Sequence, residues 1–189
     1  MSIPATDDDF TTRARRIRLA CFDVDGTLTD GRLTFDSEGR EFKAFHVHDG
    51  QGLVLLRRAG IAVSLVTARR SPIAEQRAAE LGIEACTGVG DKLACVEGIA
   101  RSQGLDLDDV AFMGDDLPDL RVMLRVGLPA APRNAQDAVL QAAAWRSRFD
   151  GGHGAAREFC NALLEAQARL GPLIDGLLQA EPPGIGARS

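Results

Sequence analysis

The sequence predicts an α/β fold, a doubly wound (Rossmann-like) and mainly parallel sheet that carries a small β-hairpin flap. Three observations lead there. Short apolar runs alternate with stretches of helical pattern, the signature of strand–helix–strand units. The runs are apolar along their length rather than at every second residue, as befits strands covered on both faces. The first three runs each end in polar residues of the kind that carry chemistry, and sheets of this type gather ligands at the carboxyl ends of their strands.

Taken in order, Ile17–Phe22 is the first buried strand, Ile61–Val66 the second, Val110–Met113 the third and Leu128–Ala131 a fourth. Helices are expected between them over Gly52–Arg58, over Pro72–Leu81 with proline in the first turn, and over Lys92–Gln103 with Leu93, Val96 and Ile99 on one side. Two more are expected over Leu117–Val126 and, after a glycine cluster, Ala155–Leu170. One segment breaks the alternation. Arg32–Phe35 and Glu41–Phe45, joined by Asp36-Ser37-Glu38-Gly39-Arg40, read as a hairpin flap over about 31–46. Its apolar residues do not fall on one face, which suits a flap partly covered on both.

The chain divides into a flexible segment 1–16, polar with Asp7-Asp8-Asp9 and Arg13, Arg15 and Arg16, a single folded domain 17–172, and a flexible tail 173–189. At 189 residues there is chain enough for a core without disulfide or metal staples. The net charge of −5, with both signs interspersed, favours neither nucleic acid nor an anionic membrane. An anionic substrate therefore needs a local cluster of cations. No apolar run reaches the length of a membrane span and no signal-peptide pattern opens the chain, so the cytoplasm is the expected compartment. Cys21, Cys86, Cys95 and Cys160 lack metal-ligand spacing and read as reduced, inert thiols.

The polar residues after the strands are Asp23-Val24-Asp25-Gly26-Thr27, then Thr67-Ala68-Arg69, then Gly114-Asp115-Asp116-Leu117-Pro118-Asp119, with Lys92 opening the helix between the last two. Parallel neighbouring strands would bring all of them to one edge. Asp23, Asp25, Asp115 and Asp116 would then crowd several carboxylates together, which requires a counter-charge. Mg²⁺, a hard cation that takes a few carboxylates plus substrate phosphate and water, supplies it. Thr67 and Lys92 offer donors to a phosphoryl group, and Gly26 lets backbone N–H groups approach it. Phosphoryl transfer is mostly positioning and electrostatic stabilisation. One carboxylate can attack phosphorus; a second, two residues on and so on the same side of an extended chain, can protonate the leaving oxygen.

Asp23-Val-Asp25-Gly26-Thr27, Thr67, Lys92 and Gly114-Asp115-Asp116-x-x-Asp119 resemble, in order, the four motifs of haloacid dehalogenase-like phosphatases. The resemblance implies Asp23 as nucleophile and Asp25 as general acid/base. It implies Mg²⁺ held by the Asp23 carboxylate, the Asp25 backbone carbonyl and Asp115, with Thr67 and Lys92 on the transferring phosphoryl group. The likeness narrows at Phe42-Lys43-Ala44-Phe45, Asp49-Gly50-x-Gly52, Thr67-Ala68-Arg69, Arg77-x-x-x-Leu81-Gly82-Ile83 and Gly151-Gly152-x-Gly154-Ala155-x-Arg157-Glu158. There the chain is similar to the 3-deoxy-D-manno-octulosonate 8-phosphate (KDO 8-phosphate) phosphatases. That family is cytoplasmic, tetrameric and serves lipopolysaccharide synthesis, so a small phosphorylated sugar acid is the expected substrate. Ala68 stands where the family has glycine, and Thr27 where it often has valine. The short stretch between Asp23 and Thr67 leaves no room for a large cap. Hairpins packed between subunits, with Gly151–Gly154 reaching a neighbour's site, are expected to exclude water instead.

Each residue also has a plain structural role open to it. Asp23 and Asp25 alone could be a strand-end turn, and Asp116 or Asp119 a helix cap. Gly26, Ala68, Arg69 and Arg77 complete the expected substrate site, the arginines as carboxylate or phosphate clamps or as surface ion pairs. His46, His48 and His153 lack metal spacing, and Trp145 and Phe149 are expected in the core. A receiver domain would place its acidic pair before the phosphorylated aspartate, the reverse of the order here. A non-catalytic oligomerisation module of the same fold would be expected to lose Asp25 or Lys92. A phosphatase for a nine-carbon, sialic acid-type 9-phosphate remains the nearest alternative.

Overall fold

The computed structural model describes residues 7–179. At its centre is a six-stranded sheet in the order β5-β4-β1-β6-β7-β8, every neighbouring pair parallel. Its strands are β1 (Leu19–Phe22), β4 (Ala62–Val66), β5 (Glu84–Cys86), β6 (Val110–Met113), β7 (Leu128–Ala131) and β8 (Trp145–Arg146). The chain leaves β1 toward β4 and β5, then crosses back to β6, so strand order reverses beside β1. That is where such a sheet opens a crevice. The register sets Phe22 level with Leu65 on one side and Met113 on the other. The residues following these three strands therefore emerge side by side.

β1 shows why its sequence has no alternation. Ala20 and Phe22 enter one buried cluster and Leu19 and Cys21 the other. The first cluster lies under α2 (Val47–Arg58), α3 (Pro72–Leu81) and α7 (Ala155–Ala166); the second lies under α4 (Lys92–Ser102), α5 (Leu117–Met123) and α6 (Asp137–Ala142). Gly52 lets α2 and α7 approach closely, since a Cβ there would lie 3.2 Å from both the Arg157 Cα and the Cys160 Cβ. Asp49, 2% exposed on α2, accepts from the backbone N–H groups of Arg157 (2.8 Å) and Gly154 (3.2 Å), so it caps α7 from across the interface.

Between β1 and β4 lie only α2 and the antiparallel hairpin of β2 (Thr34–Phe35) and β3 (Glu41–Phe42). The hairpin flap without a large cap is thus present. Phe42 lies on one face and Phe35, opposite Glu41, on the other, both more than half exposed. An apolar residue on each face is what blurred its periodicity.

The four anticipated strands and five anticipated helices are present, with α2 beginning five residues earlier and the last helix, α7, ending at Ala166; α8 (Leu170–Gln179), which follows it, was not anticipated. The short β5, β8 and α6 were not anticipated. Residues 7–16, expected to be flexible, form helix α1 (Asp7–Arg16). Phe10 and Ala14, four residues apart, share one helical face; Ala14 and Ile17, just past the helix, are buried, and Phe10 lies near Trp145 with ring centroids 6.4 Å apart. Gln167 ties the helix end down by donating to the carbonyls of Ala14 and Ile17, each at 2.8 Å. The dense charge of this segment masked its narrow apolar stripe. Likewise 173–179, expected as tail, continues α8. The remaining tail positions, 1–6 and 180–189, lie outside the described residues. Trp145 packs on Phe159 as expected of a core residue, whereas Phe149 is 46% exposed. The four cysteines are free, two buried and two half-buried.

Candidate active site

β1 delivers Asp23 to the carboxyl edge, its N–H bonded to the Met113 carbonyl at 2.9 Å as a last rung of the ladder. The chain then turns tightly. Leu28 and Thr29 donate back to the Val24 carbonyl, and Gly26 takes φ +96°. A side chain at Gly26 would run into the Asp115 carboxylate, so glycine is required on both counts. The segment after β8 clamps this turn. Gly151 lies against the Gly26 carbonyl with no room for a Cβ, and the Gly152 N–H donates to the Thr27 carbonyl at 3.0 Å. Gly151 and Gly152 thus brace the β1 turn within the chain.

Lys92 opens α4 and extends its buried ammonium between two carboxylates, donating at 2.6 Å to Oδ1 of Asp23 and at 2.6 Å to Oδ1 of Asp119. Burial works against its charge, but Asp23 and Asp119 prevail and raise its pKa. Asp115 follows β6 and accepts from the Thr27 hydroxyl at 3.0 Å. Ligand oxygens of Asp23, Asp115 and Asp119 all lie within 4.8 Å of one another. Three carboxylates against one ammonium leave two negative charges in a buried space. Burial first, and Asp119 beside it, push the Asp23 carboxyl up to about 7 against the pull of Lys92. Burial likewise pushes Asp115 up to about 6. A hard divalent cation would cancel this excess, and all-oxygen donors suit Mg²⁺.

Asp116 lies outside the group. It is exposed, and its carboxylate accepts from the Leu117 N–H at 2.8 Å as the N-cap of α5. Asp119 stands in the cluster instead, three residues on, where the first helical turn brings it back over the strand end. Its Oδ2 accepts from the N–H groups of Asp115 (3.1 Å) and Asp116 (3.2 Å) while Oδ1 takes Lys92. It is a capping-box residue and a partner of Lys92 at once. The capping reading had hidden the second role; the signal for it was a third aspartate in a segment already rich in them.

Thr67 is 2% exposed at the end of β4, with its hydroxyl accepting from the Arg69 N–H at 3.3 Å. Ala68 is exposed beside it. Arg69 reaches across to the flap, with Nη2 2.6 Å from Oε1 of Glu41 and Nε 4.0 Å from Oδ2 of Asp25. Lys43, just past β3, completes this second network. Its side chain is 1% exposed and bonds Oδ1 of Asp25, with Glu41 at 3.3 Å. Glu41 and Lys43 were not singled out as site residues. Their spacing of two on an extended strand, which turns both inward, was the available signal. Arg77 lies apart: it pairs with Glu80 at 3.2 Å, presses against Gly50 and sits 5.9 Å over the Phe45 ring.

All three histidines line one cleft of about 400 Å³ with Arg157, Phe149 and Asn161. They do not converge as ligands. Among the described residues, Asp23, Asp115 and Asp119 form the one group of three that could hold a metal. No helix is long and apolar enough to cross a membrane, among the same residues.

A family profile of haloacid dehalogenase-like hydrolases matches residues 86–158. The chain is 40% identical over 164 residues to 3-deoxy-D-manno-octulosonate 8-phosphate phosphatase KdsC of Yersinia pestis, spanning 86% of this chain and 88% of that one. Its fold superposes on a Xanthomonas campestris structure with a TM-score of 0.89 at 50% identity, over 95% of this chain and 100% of that chain. A second structure is the KDO 8-phosphate phosphatase of Moraxella catarrhalis in complex with magnesium, phosphate and KDO. It matches with a TM-score of 0.88 at 36% identity, over 91% of this chain and 99% of that one.

Proposed function

The chain belongs to the haloacid dehalogenase-like hydrolases, in the KDO 8-phosphate phosphatase family, and we propose that it hydrolyses KDO 8-phosphate to KDO and phosphate for lipopolysaccharide biosynthesis. The observation that carries the chemistry is the meeting of Asp23, Asp115, Asp119 and Lys92 at the carboxyl ends of β1 and β6, three carboxylates against one ammonium. The Moraxella relative, whose structure holds magnesium with phosphate and KDO, the two products of that reaction, supports the choice of substrate.

Mg²⁺ is the cofactor; the Asp23 carboxylate, the Asp25 backbone carbonyl and Asp115 would hold it, and it supplies charge neutralisation at the phosphoryl oxygens. Asp23 attacks phosphorus to form an aspartyl-phosphate, while Asp25 gives a proton to the departing sugar oxygen. Asp25 then takes a proton from water, which attacks the phosphoryl group and frees Asp23. Lys92 and the Thr67 hydroxyl bind the phosphoryl oxygens as charge moves onto them. Gly26 keeps the backbone close, and Arg69 and Ala68 line the approach for the sugar acid. Arg77, paired with Glu80 and packed against Gly50, is assigned to the packing of α3 on α2 rather than to the substrate. Asp116 is assigned to the support of α5 rather than to the metal.

The protein works in the cytoplasm as a homotetramer. Leu33, Phe35 and Phe42, each half or more exposed on the flap, support burial between subunits. Light scattering on wild type and Phe42→Ser tests the assembly; a wild-type monomer with full activity would sink it.

Phosphate release from KDO 8-phosphate, with Mg²⁺ and with EDTA, for wild type and Asp23→Asn, tests the reaction. Release should need the metal and vanish in the variant. Preference for a nine-carbon keto-acid 9-phosphate would keep the chemistry and overturn the substrate.

A further inference from the structure

The catalytic reading leaves one buried charge without a task. Lys43 stands at the base of the flap with its side chain 1% exposed, and a lysine is not buried without partners that offset its desolvation. It has two, Asp25 and Glu41. Glu41 is already engaged by Arg69 at 2.6 Å, so the flap needs no lysine to be tied to the loop after β4.

The other half of the observation is on Asp25. Its Oδ1 is taken by Lys43, while Oδ2 is shielded from water and has no hydrogen-bond partner among the described residues; Nε of Arg69 lies 4.0 Å away. A buried acceptor left unpaired is destabilising. Such an atom in a site of this kind points to a partner that arrives with the substrate.

We infer that Lys43 is a positioning residue, whose ammonium holds Oδ1 of Asp25 so that Oδ2 alone faces the ester oxygen. The inference rests on the phosphatase reading above. In the first step the ester P–O bond breaks, its electron pair stays on the sugar oxygen, and that oxygen takes the proton from Oδ2 as the Asp23–phosphorus bond forms. In the second step Oδ2 takes a proton from water, the water oxygen bonds to phosphorus, and the Asp23–phosphorus bond breaks. Throughout, Lys43 touches no reacting atom. It fixes which of two equivalent oxygens is presented, and it does so from the flap, so flap position and proton transfer are one arrangement.

The test compares leaving groups. KDO 8-phosphate expels an alkoxide that needs a proton, whereas p-nitrophenyl phosphate expels a phenolate that does not. Lys43→Met should lower kcat on the sugar phosphate by about 10²-fold, the scale of general-acid assistance, and on the aryl phosphate by less than about 10-fold. In an Asp25→Ala background the same substitution should bring little further loss on the sugar phosphate, because both changes remove one function. Lys43→Gln, which keeps a polar tip, serves if the apolar variant does not fold. Equal losses on both esters, or losses that add in the double variant, would assign Lys43 to flap stability and overturn the inference. A wild type inactive on KDO 8-phosphate would overturn the substrate assignment instead; Lys43 is then judged on whichever alkyl phosphate the protein cleaves.

Discussion

The ammonium of Lys92 lies 2.6 Å from Oδ1 of Asp23, although 69 positions separate the two residues in the chain. β1 presents the aspartate and the first residue of α4 presents the lysine, each at the same edge of the sheet. Removing the lysine strands Asp23 and Asp119 as like charges in a buried space. Lys92→Met should therefore lower kcat by about 10²–10³-fold and destabilise the metal-free protein by roughly 3 kcal/mol. Steady-state kinetics and urea melts read the two effects. Full stability without the lysine would contradict the charge argument.

Asp116 and Asp119 separate capping from chemistry. Asp116→Ala should remove an N-cap, lowering stability by about 1 kcal/mol, and leave Mg²⁺ affinity unchanged. Asp119→Ala should reduce activity by about 10–100-fold, as loss of an orienting partner does. Calorimetric Mg²⁺ titration of both variants, beside kinetics, checks the contrast; weakened metal binding in the Asp116 variant would restore that residue to the metal.

The raised carboxyls set a pH dependence. Asp23 and Asp115, at about 7 and about 6, keep protons in the folded state that an unfolded chain has released by about pH 4. The folded state binds more protons across that window, so these two groups contribute full stability below it. Their contribution is lost as pH rises through 6 and 7. Metal binding needs them ionised. The rise in melting temperature on adding Mg²⁺ should accordingly grow from pH 5.5 to pH 8, as differential scanning would record. An increment independent of pH would rule out these groups as the metal's ligands.

Gly151 offers a steric test remote in sequence from the nucleophile. A methyl group there meets the Gly26 carbonyl, so Gly151→Ala should destabilise by roughly 1–3 kcal/mol. It should also lower kcat by displacing the turn that carries Asp25, where a shift near 1 Å is worth about 10²-fold. Gly98→Ala on α4 meets open space and should instead stabilise by about 0.5–1 kcal/mol. A Gly151→Ala enzyme with wild-type kinetics would show that the brace is dispensable.

The strands were legible because their side chains have no alternative. β1, β4, β6 and β7 are apolar along nearly their whole length and lie under helices on both faces. Helix α3 was legible from the proline in its first turn and α4 from Leu93, Val96 and Ile99 on one side; the structure adds Ser71 and Asp91, each capping the N–H three residues on. Short elements escaped. β5 and β8 hold two or three residues each, and pairing with a neighbouring strand rather than any pattern of their own makes them strands. α1 escaped because an apolar stripe only a few residues wide lies within a charged segment.

The same division holds for the site. Sequence alone determined that Asp23, Thr67, Lys92 and Asp115 arrive at one edge, since the order of strands and helices carries each residue there. It could not determine which carboxylate faces which cation. That Asp119 rather than Asp116 joins Lys92, and that Lys43 and Glu41 turn inward onto Asp25 and Arg69, depends on the rotation of a helical turn and the pleat of a two-residue strand. Those orientations are fixed only when the flap, α4 and the strand ends close on a common buried volume, where each charge takes the partner that packing leaves within reach.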